Sequence, residues 1–147
     1  MDEFEARLAA AYEAWHASRG RTPERFFELY ADEIELHSIL EASLLTEQLR
    51  GRFVGKPATL AYFTAIAEAW EMLEGSTEAM VARGDKVVWV GRAAWRNVKT
   101  LRKVEGPKID VWTVRGGLAV RYLELFDSYG TARALGLIEG QDTPDPG

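Results

Sequence analysis

Two acidic side chains stand inside apolar runs near the end of the chain. Asp110 lies within residues 109–114 and Glu124 within residues 118–126, two runs rich in Val, Leu, Trp and Tyr. A carboxylate among such residues is costly to bury unless it is paired, is protonated or faces a wet cavity. If the two acids share one face, the pKa of one of them rises further, and such a pair can move a proton on and off a carbon acid or a water.

Whether the two acids share a face depends on the turn between the runs. Apolar β-formers around a Gly-Gly pair predict a β-hairpin. A two-residue turn places Asp110 opposite Leu123 and leaves Glu124 on the other side of the sheet. A three-residue loop with a bulge places Asp110 opposite Tyr122, with Glu124 on the diagonal of the same face at about 7–8 Å. Alternation alone does not choose between these registers, because both faces are largely apolar.

The hairpin is the most informative stretch of the chain. Residues 110–124, DVWTVRGGLAVRYLE, resemble the hairpin of the SnoaL-like family, which has an Asp, a Trp two residues later, a turn glycine and a final Asp or Glu. Residues 29–33, LYADE, and 51–56, GRFVGK, resemble the stretches that enter a first strand and a helix in that family. The resemblance covers residues 4–137 and favours the register in which both acids share a face.

The SnoaL-like family belongs to the nuclear transport factor 2 superfold, together with ketosteroid isomerases and limonene epoxide hydrolases. The resemblance therefore implies an α+β fold in which a strongly curved mixed sheet wraps around helices and forms a cone with one apolar pocket. The order of elements gives the same α+β class independently, because helices come first and a run of antiparallel strands follows. We expect one domain over residues 1–138 and a disordered tail at 139–147.

Apolar spacing predicts the elements that position the hairpin. Long helices are predicted at 4–18 and 57–75, a short helix opening at Thr22, and a closing helix at 127–137. Strands are predicted at 34–39, 77–83 and 86–99, ahead of the hairpin. The connection 41–56 has two open interpretations, a lid over a pocket and a plain surface loop.

The predicted strand at 86–99 decides which of its side chains face the pocket. Matching it to the family places the even-numbered residues inward, which brings Val90 and Arg92 to the pocket and leaves Trp89 and Trp95 outside. Because an exposed pair of tryptophans needs cover, we expect a homodimer through that outer face. In the reverse register, both tryptophans are pocket walls.

The resemblance implies three catalytic residues. Glu124 matches the general acid/base of the SnoaL-like cyclases, and Asp110 falls where the isomerases keep an oxyanion-donating acid. Arg92 matches an Arg of the epoxide hydrolases that helps to organise a water. Ala94 and Ser38 stand where those enzymes carry further acids or amides, which argues against either mechanism unchanged. In the alternative interpretation, Arg92 and Glu124 form a buried ion pair with a structural role.

The expected ligand is a mostly apolar small molecule that is cyclic or bears a carbonyl group. The candidate substrate-binding residues are Trp15, Leu36, Ser38, Phe63, Val90, Trp112, Tyr122 and Phe126. The favoured function is a SnoaL-like enzyme that transfers a proton or adds water without a cofactor. The alternative is a non-catalytic ligand-binding or dimerisation module of the same fold.

Composition argues against several other classes. A formal net charge of −5 disfavours nucleic acid as a partner, and no apolar run approaches the ~20 residues that span a bilayer. The chain has no cysteine and two distant histidines, His16 and His37, so no metal-ligand spacing is present. No phosphate-binding glycine loop or nucleophile elbow occurs. We expect a cytoplasmic protein with no metal and no cofactor.

Overall fold

The computed structural model describes residues 1–41 and 52–138 and contains four helices and six strands there. The helices are α1 (Asp2–Ala17), α2 (Glu24–Phe27), α3 (Lys56–Ala69) and α4 (Ser128–Ala134). The strands are β1 (Tyr30–Ser38), β2 (Arg52–Val54), β3 (Trp70–Arg83), β4 (Lys86–Asn97), β5 (Lys103–Arg115) and β6 (Leu118–Leu125). The predicted tail at 139–147 and most of the connection predicted at 41–56 lie outside the described residues.

All six strands form one mixed sheet in the order β2-β1-β6-β5-β4-β3. Neighbouring strands are antiparallel except β1 and β6, which run parallel. The sheet is curved and, within the described residues, unclosed, with β2 and β3 at its edges. Register shifts at Met72/Glu74 and Thr77/Ala79 in β3 are irregularities of the kind that bend a strand. The prediction of an α+β fold with a curved mixed sheet is confirmed.

Helices α1 and α3 pack against one face of the sheet, called the inner face below. Leu8 and Tyr12, from the stripe predicted on α1, are buried. The Tyr12 ring stacks on Trp89 of β4 with 4.3 Å between ring centroids. Tyr62 of α3 donates a hydrogen bond to Glu124 of β6. The two helices therefore bring tyrosine hydroxyls to the same side of the sheet as the acidic pair.

Helix α3 is shorter than its apolar spacing predicts. It ends at Ala69, and Trp70 has extended backbone dihedrals, with φ −135° and ψ 147°. Trp70 is buried and pairs with Asn97 at the far end of β4. Pairing with β4 thus competes with continuation of the helix, although the apolar side chains keep helical spacing to residue 73. The first strand likewise begins at Tyr30, ahead of the predicted start.

The β5–β6 hairpin has neither of the two predicted registers. Residues 116–117 form a two-residue turn with φ of 60° and 78°, the pair of positive values that a tight hairpin turn of this twist requires. The pairing then shifts by one residue, because Val120 is left over between paired neighbours. This bulge places Asp110 directly opposite Glu124. The two acids share the inner face as expected, but as a cross-strand pair rather than on a diagonal.

Strand β4 presents its odd-numbered residues to the inner face, so the predicted even-numbered orientation is wrong. Trp89 is 1% exposed, and Trp95 packs against Trp15 of α1 with 6.2 Å between ring centroids. Val90 and Arg92 consequently lie on the outer face, where Arg92 is exposed. Burial of two indole rings against the helices favours this register. The alternative interpretation, with both tryptophans facing inward, is correct.

Candidate functional site

Asp110 of β5 and Glu124 of β6 project side by side from the inner face. Asp110 is fully buried and Glu124 is 5% exposed. Directly opposed residues of an antiparallel pair have Cβ atoms about 4.5–5.5 Å apart, so the two carboxyl groups occupy one desolvated region. Two acids placed in this way need a compensating positive charge or a proton.

The compensating charge comes from Lys108, two residues before Asp110 on the same strand. The Lys108 Nζ atom lies 2.7 Å from Asp110 Oδ1 and 3.5 Å from Glu124 Oε2, and it donates to the Tyr122 hydroxyl at 3.1 Å. Burial lowers the pKa of Lys108, but the two carboxylates more than offset this and raise that pKa above its ordinary value. Lys108 is therefore a protonated cation that serves both acids.

The sequence-based prediction does not include Lys108, although its position could have indicated it. Lys108, Asp110 and Trp112 alternate along β5, and the two-residue period of a strand puts all three on one face. The prediction gives the role of the cation to Arg92, which the structure places on the outer face. The ion-pair partner of Glu124 is thus Lys108, and the alternative interpretation, in which Arg92 forms a buried ion pair with Glu124, is wrong.

Glu124 is held by two tyrosine hydroxyls. Tyr62 donates to its Oε1 atom, and Tyr122 donates to Oε2 at 3.3 Å. Burial raises the pKa of Glu124, Lys108 lowers it and Asp110 raises it, with a net pKa above the ordinary 4.5. An acid whose pKa moves toward neutrality is better suited to accept and return a proton.

Asp110 is bound from the opposite side by α1. The Tyr12 hydroxyl donates to Asp110 Oδ2 at 2.6 Å and accepts from Trp112 Nε1 at 3.0 Å. Burial, together with the charge of Asp110, raises the pKa of Tyr12 well above 10, so this hydroxyl remains a donor. Asp110 has Lys108 on one carboxylate oxygen and Tyr12 on the other. Its position is therefore fixed by partners from the helix and from its own strand.

Two adjoining cavities lie beside these side chains. The outer cavity has a volume of about 110 Å³ and the inner cavity a volume of about 60 Å³. Lys108, Glu124 and Tyr62 border both. Most other lining residues of the outer cavity are apolar, among them Ile66, Trp70, Trp95, Val104, Pro107 and Phe126. A ligand there would contact apolar walls on most sides and the acid–lysine cluster on one.

The structure brings most of the predicted binding residues to these cavities. The inner cavity is lined by Trp15, Phe63, Trp112 and Tyr122, and the outer cavity by Phe126. Leu36 and Ser38 are buried beside β6 on β1 and line neither cavity. Val90 and Arg92, on the outer face, also line neither. The position predicted for these last two residues is wrong for the same reason, the reversed orientation of β4.

His16 of α1 is a further polar group on the inner cavity. Its ring centroid lies 5.8 Å from that of Trp89. A Cβ atom at Gly75 would come within 2.5 Å of the His16 ring, so this glycine of β3 makes room for the imidazole. Burial lowers the pKa of His16, and Lys108 lowers it further, which keeps the ring neutral at pH 7.

In the described part of the chain, no cluster of three or more His, Cys, Asp or Glu side chains could hold a metal ion. None of the helices within residues 1–41 and 52–138 is long and apolar enough to cross a membrane.

Comparison with known proteins gives both a family and a fold. The model of the SnoaL-like domain matches residues 8–122, and no curated protein matches the chain. An NTF2-like protein of unknown function from Burkholderia pseudomallei is 18% identical, with a TM-score of 0.75 over 91% of this chain and 98% of that one. A protein provisionally assigned as a SnoaL-like polyketide cyclase, from Mesorhizobium loti, is 20% identical, with a TM-score of 0.65 over 82% of this chain and 97% of that one. TerC, co-crystallised with polyporic acid, is 18% identical, with a TM-score of 0.70 over 90% of this chain and 98% of that one.

At these identities the structural likenesses show the fold alone, and the family model carries the assignment. Its match spans most of the chain, includes Lys108 and Asp110, and ends at Tyr122, two residues before Glu124. The predicted resemblance is therefore confirmed. This chain belongs to the SnoaL-like family.

Proposed function

We propose that the protein is a cofactor-free enzyme that transfers a proton on, or adds water to, a mostly apolar cyclic or carbonyl-bearing small molecule. The observation that carries the proposal is the placement of Glu124. It is buried, borders both cavities and has a raised pKa. A carboxyl group of this kind is typical of a general acid/base.

In this proposal, Glu124 removes a proton from the carbon next to a carbonyl group. The electron pair of the broken C–H bond moves to the carbonyl oxygen, which becomes an enolate, and Glu124 then returns the proton to the same or a neighbouring carbon. Lys108, within 3.5 Å of Glu124, offsets the negative charge that develops nearby. Asp110 has a positioning role, because it holds Lys108 at 2.7 Å.

The comparisons support this class of reaction without specifying it. One structural neighbour is provisionally assigned as a polyketide cyclase, and another was crystallised with polyporic acid. Both observations belong to those proteins. One fold hosts many chemistries, so the substrate of this chain has to be found by assay.

The test uses a reaction that needs no knowledge of the physiological product. Cyclopentanone, cyclohexanone and 1-indanone are each incubated with the protein in D₂O, and the loss of α-proton intensity is followed by ¹H NMR against buffer alone. The proposal expects exchange of at least one ketone above the buffer rate. Binding of these ketones with no exchange above buffer would contradict proton transfer to carbonyl compounds.

A second candidate function is non-catalytic ligand binding by the same cavities. This candidate is supported by the hydrogen bonds of the two acids. Each carboxylate oxygen of Asp110 and Glu124 already accepts a hydrogen bond from a side chain of the protein itself. A network that is fully satisfied can simply stabilise the core. Tight binding of a ligand that is recovered chemically unchanged would favour this candidate.

We also propose that the chain forms a homodimer through the outer face of the sheet. The reason differs from the predicted one, since Trp89 and Trp95 face inward. On the outer face, aliphatic side chains of β4, β5 and β6 lie next to one another on neighbouring strands. They form an apolar patch of Val88, Val90, Ile109, Val111, Leu123 and Leu125. Arg121 and Glu35 lie side by side at its margin. In a dimer with a two-fold axis, this patch of one subunit packs against the same patch of the other. The apolar centres then meet, and the positive and negative charges at the margin of one subunit can face the opposite charges of its partner.

Replacing Val111 with Lys is expected to convert this dimer to a monomer, because the charge would be buried at the centre of the patch. Light scattering coupled to size exclusion measures the mass directly. Ala67→Lys, on the exposed side of α3, is the control and should leave the dimer intact. A wild-type protein that is monomeric at every concentration tested would rule out the interface.

A further inference from the structure

The outer cavity is bordered by four aromatic side chains. They come from separate parts of the fold: Tyr62 of α3, Trp70 at the start of β3, Trp95 of β4 and Phe126 just after β6. The ring contacts of Tyr62 and Trp95 are with rings outside this set, so these two do not close the cavity by packing on each other. A ligand in the cavity meets several π-systems, and the face of an aromatic ring attracts a positive charge.

The acidic pair beside this cavity has one ammonium group for two carboxyl groups. Lys108 Nζ lies 2.7 Å from Asp110 and 3.5 Å from Glu124, so Asp110 is the nearer partner. The other partners of Glu124 are the hydroxyl groups of Tyr62 and Tyr122, which donate hydrogen bonds but carry no charge. When Glu124 is ionised, it therefore lacks a cation of its own.

A proton or a bound cation can supply the missing positive charge. In the free protein the proton is favoured, because burial raises the pKa of Glu124 and Asp110 adds to this against the opposing effect of Lys108. A cation in the outer cavity would replace that proton, since Glu124 borders the cavity. The carboxylate of Asp127 also lines it. Among the described lining residues there are thus two acids and one basic side chain, Lys108.

The walls of the cavity suit a quaternary ammonium group better than a primary one. A primary ammonium group has three N–H donors that need acceptors when they leave water. Each oxygen of Glu124 already accepts from a tyrosine, and much of the remaining wall is apolar, including Ile66, Val104 and Pro107. A quaternary ammonium group has no N–H, and its methyl groups pack on apolar and aromatic surface.

The size of the cavity agrees with such a group. A cavity that holds benzene measures about 150 Å³, and the outer cavity measures about 110 Å³. It therefore has room for a compact head group such as trimethylammonium, and the rest of the ligand would extend toward the exposed Asp127.

We propose that the outer cavity binds a compact quaternary ammonium group, with the Glu124 carboxylate as its countercharge and the rings of Trp70, Trp95 and Phe126 as its walls. This inference goes beyond the proposed function, because it concerns binding and holds whether or not Glu124 transfers a proton. The bound cation stabilises the ionised carboxylate, so Glu124 releases its proton when the cation enters.

The groups that face Glu124 leave it as the side chain that changes protonation. They are Lys108, Asp110, Tyr30, Tyr62 and Tyr122. The pKa of each tyrosine is raised well above 10 by burial, and that of Lys108 is raised by the two acids, so these four groups keep their protons near pH 7. Affinity for the cation should therefore rise with pH through the Glu124 titration.

The test compares choline with 3,3-dimethylbutan-1-ol, which has the same shape but a carbon atom in place of the charged nitrogen. Affinities for the full chain are measured by NMR titration at pH 8, with sodium chloride added so that all samples have equal ionic strength. Choline is expected to bind about tenfold more tightly than the neutral alcohol. Ethanolamine, a primary ammonium ion, should bind more weakly than choline.

Two further measurements assign the binding to Glu124. Glu124→Gln should bind choline about tenfold more weakly and 3,3-dimethylbutan-1-ol equally well, whereas Glu105→Gln removes an exposed charge and should bind both as wild type does. In the wild type, saturation with choline should lower the titration midpoint of the Glu124 carboxyl carbon, and the neutral alcohol should leave it unchanged. A purely structural role of Glu124 would not produce this shift.

Several results would overturn the inference. These are no saturable binding of choline to the wild type, equal affinities for choline and the neutral alcohol, an ethanolamine affinity equal to that of choline, or a Glu124 midpoint that choline does not move. Equal effects of Glu124→Gln and Glu105→Gln would also overturn it. The comparison of ligands uses the wild type alone, so it does not depend on the folding of any variant.

Failure of this inference and failure of the proposed function can be told apart. If choline binds through Glu124 but no ketone exchanges its α protons, the cation site stands and proton transfer is wrong. If ketones exchange with the help of Glu124 but choline binds no better than the neutral alcohol, proton transfer stands and the cation site is wrong.

Discussion

Replacing Glu124 with Gln is expected to lower the rate of ketone α-proton exchange by about 10²–10⁴-fold, the usual contribution of a positioned general base. The amide keeps the shape of the side chain, but it cannot take a proton from carbon. Ketone affinity should change much less, because Tyr62 can still donate to the amide oxygen. Exchange rates from ¹H NMR and affinities from titration separate these two effects.

The control for this variant is Glu105→Gln, on the same sheet at an exposed position of β5 that pairs with Lys103. It removes the same charge from the protein and should leave exchange unchanged. If Glu124→Gln exchanges ketone protons at the wild-type rate, Glu124 is not the base, and ligand binding without catalysis becomes the better account.

Lys108→Met is expected to have the largest effect on stability, a loss of about 3–5 kcal/mol in the free energy of unfolding at pH 7. The substitution leaves Asp110 and Glu124 in one buried region without the ammonium group that lies 2.7 Å and 3.5 Å from them. Protonation of Glu124, whose pKa is already raised, relieves this, so the loss should become smaller as the pH is lowered. Urea unfolding at pH 5 and pH 8 measures both effects.

Lys86→Met is the matched control, because Lys86 is half exposed and bonds only to groups at the sheet surface. Its loss should stay below about 1 kcal/mol. A double variant, Lys108→Met with Asp110→Leu, should recover part of the stability, since it removes an unpaired charge together with its partner. Equal losses for the two lysine variants would show that the cluster around Lys108 does not hold the two acids.

The fold could be predicted from local signals, but the orientation of β4 was predicted wrongly. The stripe of α1 and the order of helices and strands follow from apolar spacing. Alternation along β4 does carry a signal, because Lys86, Arg92 and Arg96 fall on its even-numbered face and the odd-numbered face has no charged residue, whereas matching to the family favours the opposite orientation. Its orientation is set by Trp89 and Trp95, which pack against α1, a contact between distant parts of the chain.

The acidic pair could be predicted, whereas its partners could not be predicted with equal ease. The sequence indicates a hairpin with an acid in each arm, but it does not indicate the single bulge at Val120, which changes the residues that lie opposite each other. Tyr12 and Tyr62 come from helices that contact the sheet only in the folded protein. Lys108 alone had a local signal, its spacing of two residues from Asp110.

The raised pKa of Glu124 makes the stability of the folded protein depend on pH. The folded protein retains the Glu124 proton at pH values at which the unfolded chain has released it. The corresponding stability is fully present below the unfolded pKa, near the ordinary 4.5, and falls as the pH rises through the folded pKa. As the pH rises from the unfolded pKa to the folded pKa of Glu124, the Glu124→Gln variant should therefore lose less stability than the wild type does.

The most direct test of the account is an NMR titration of the Glu124 side-chain carboxyl carbon in the ligand-free protein, assigned by its absence in Glu124→Gln. The predicted result is a midpoint above the ordinary 4.5, because burial and Asp110 together outweigh the stabilising partners of the carboxylate. A midpoint at or below the ordinary value would contradict the proposed role of Glu124 as the group that accepts and returns the proton.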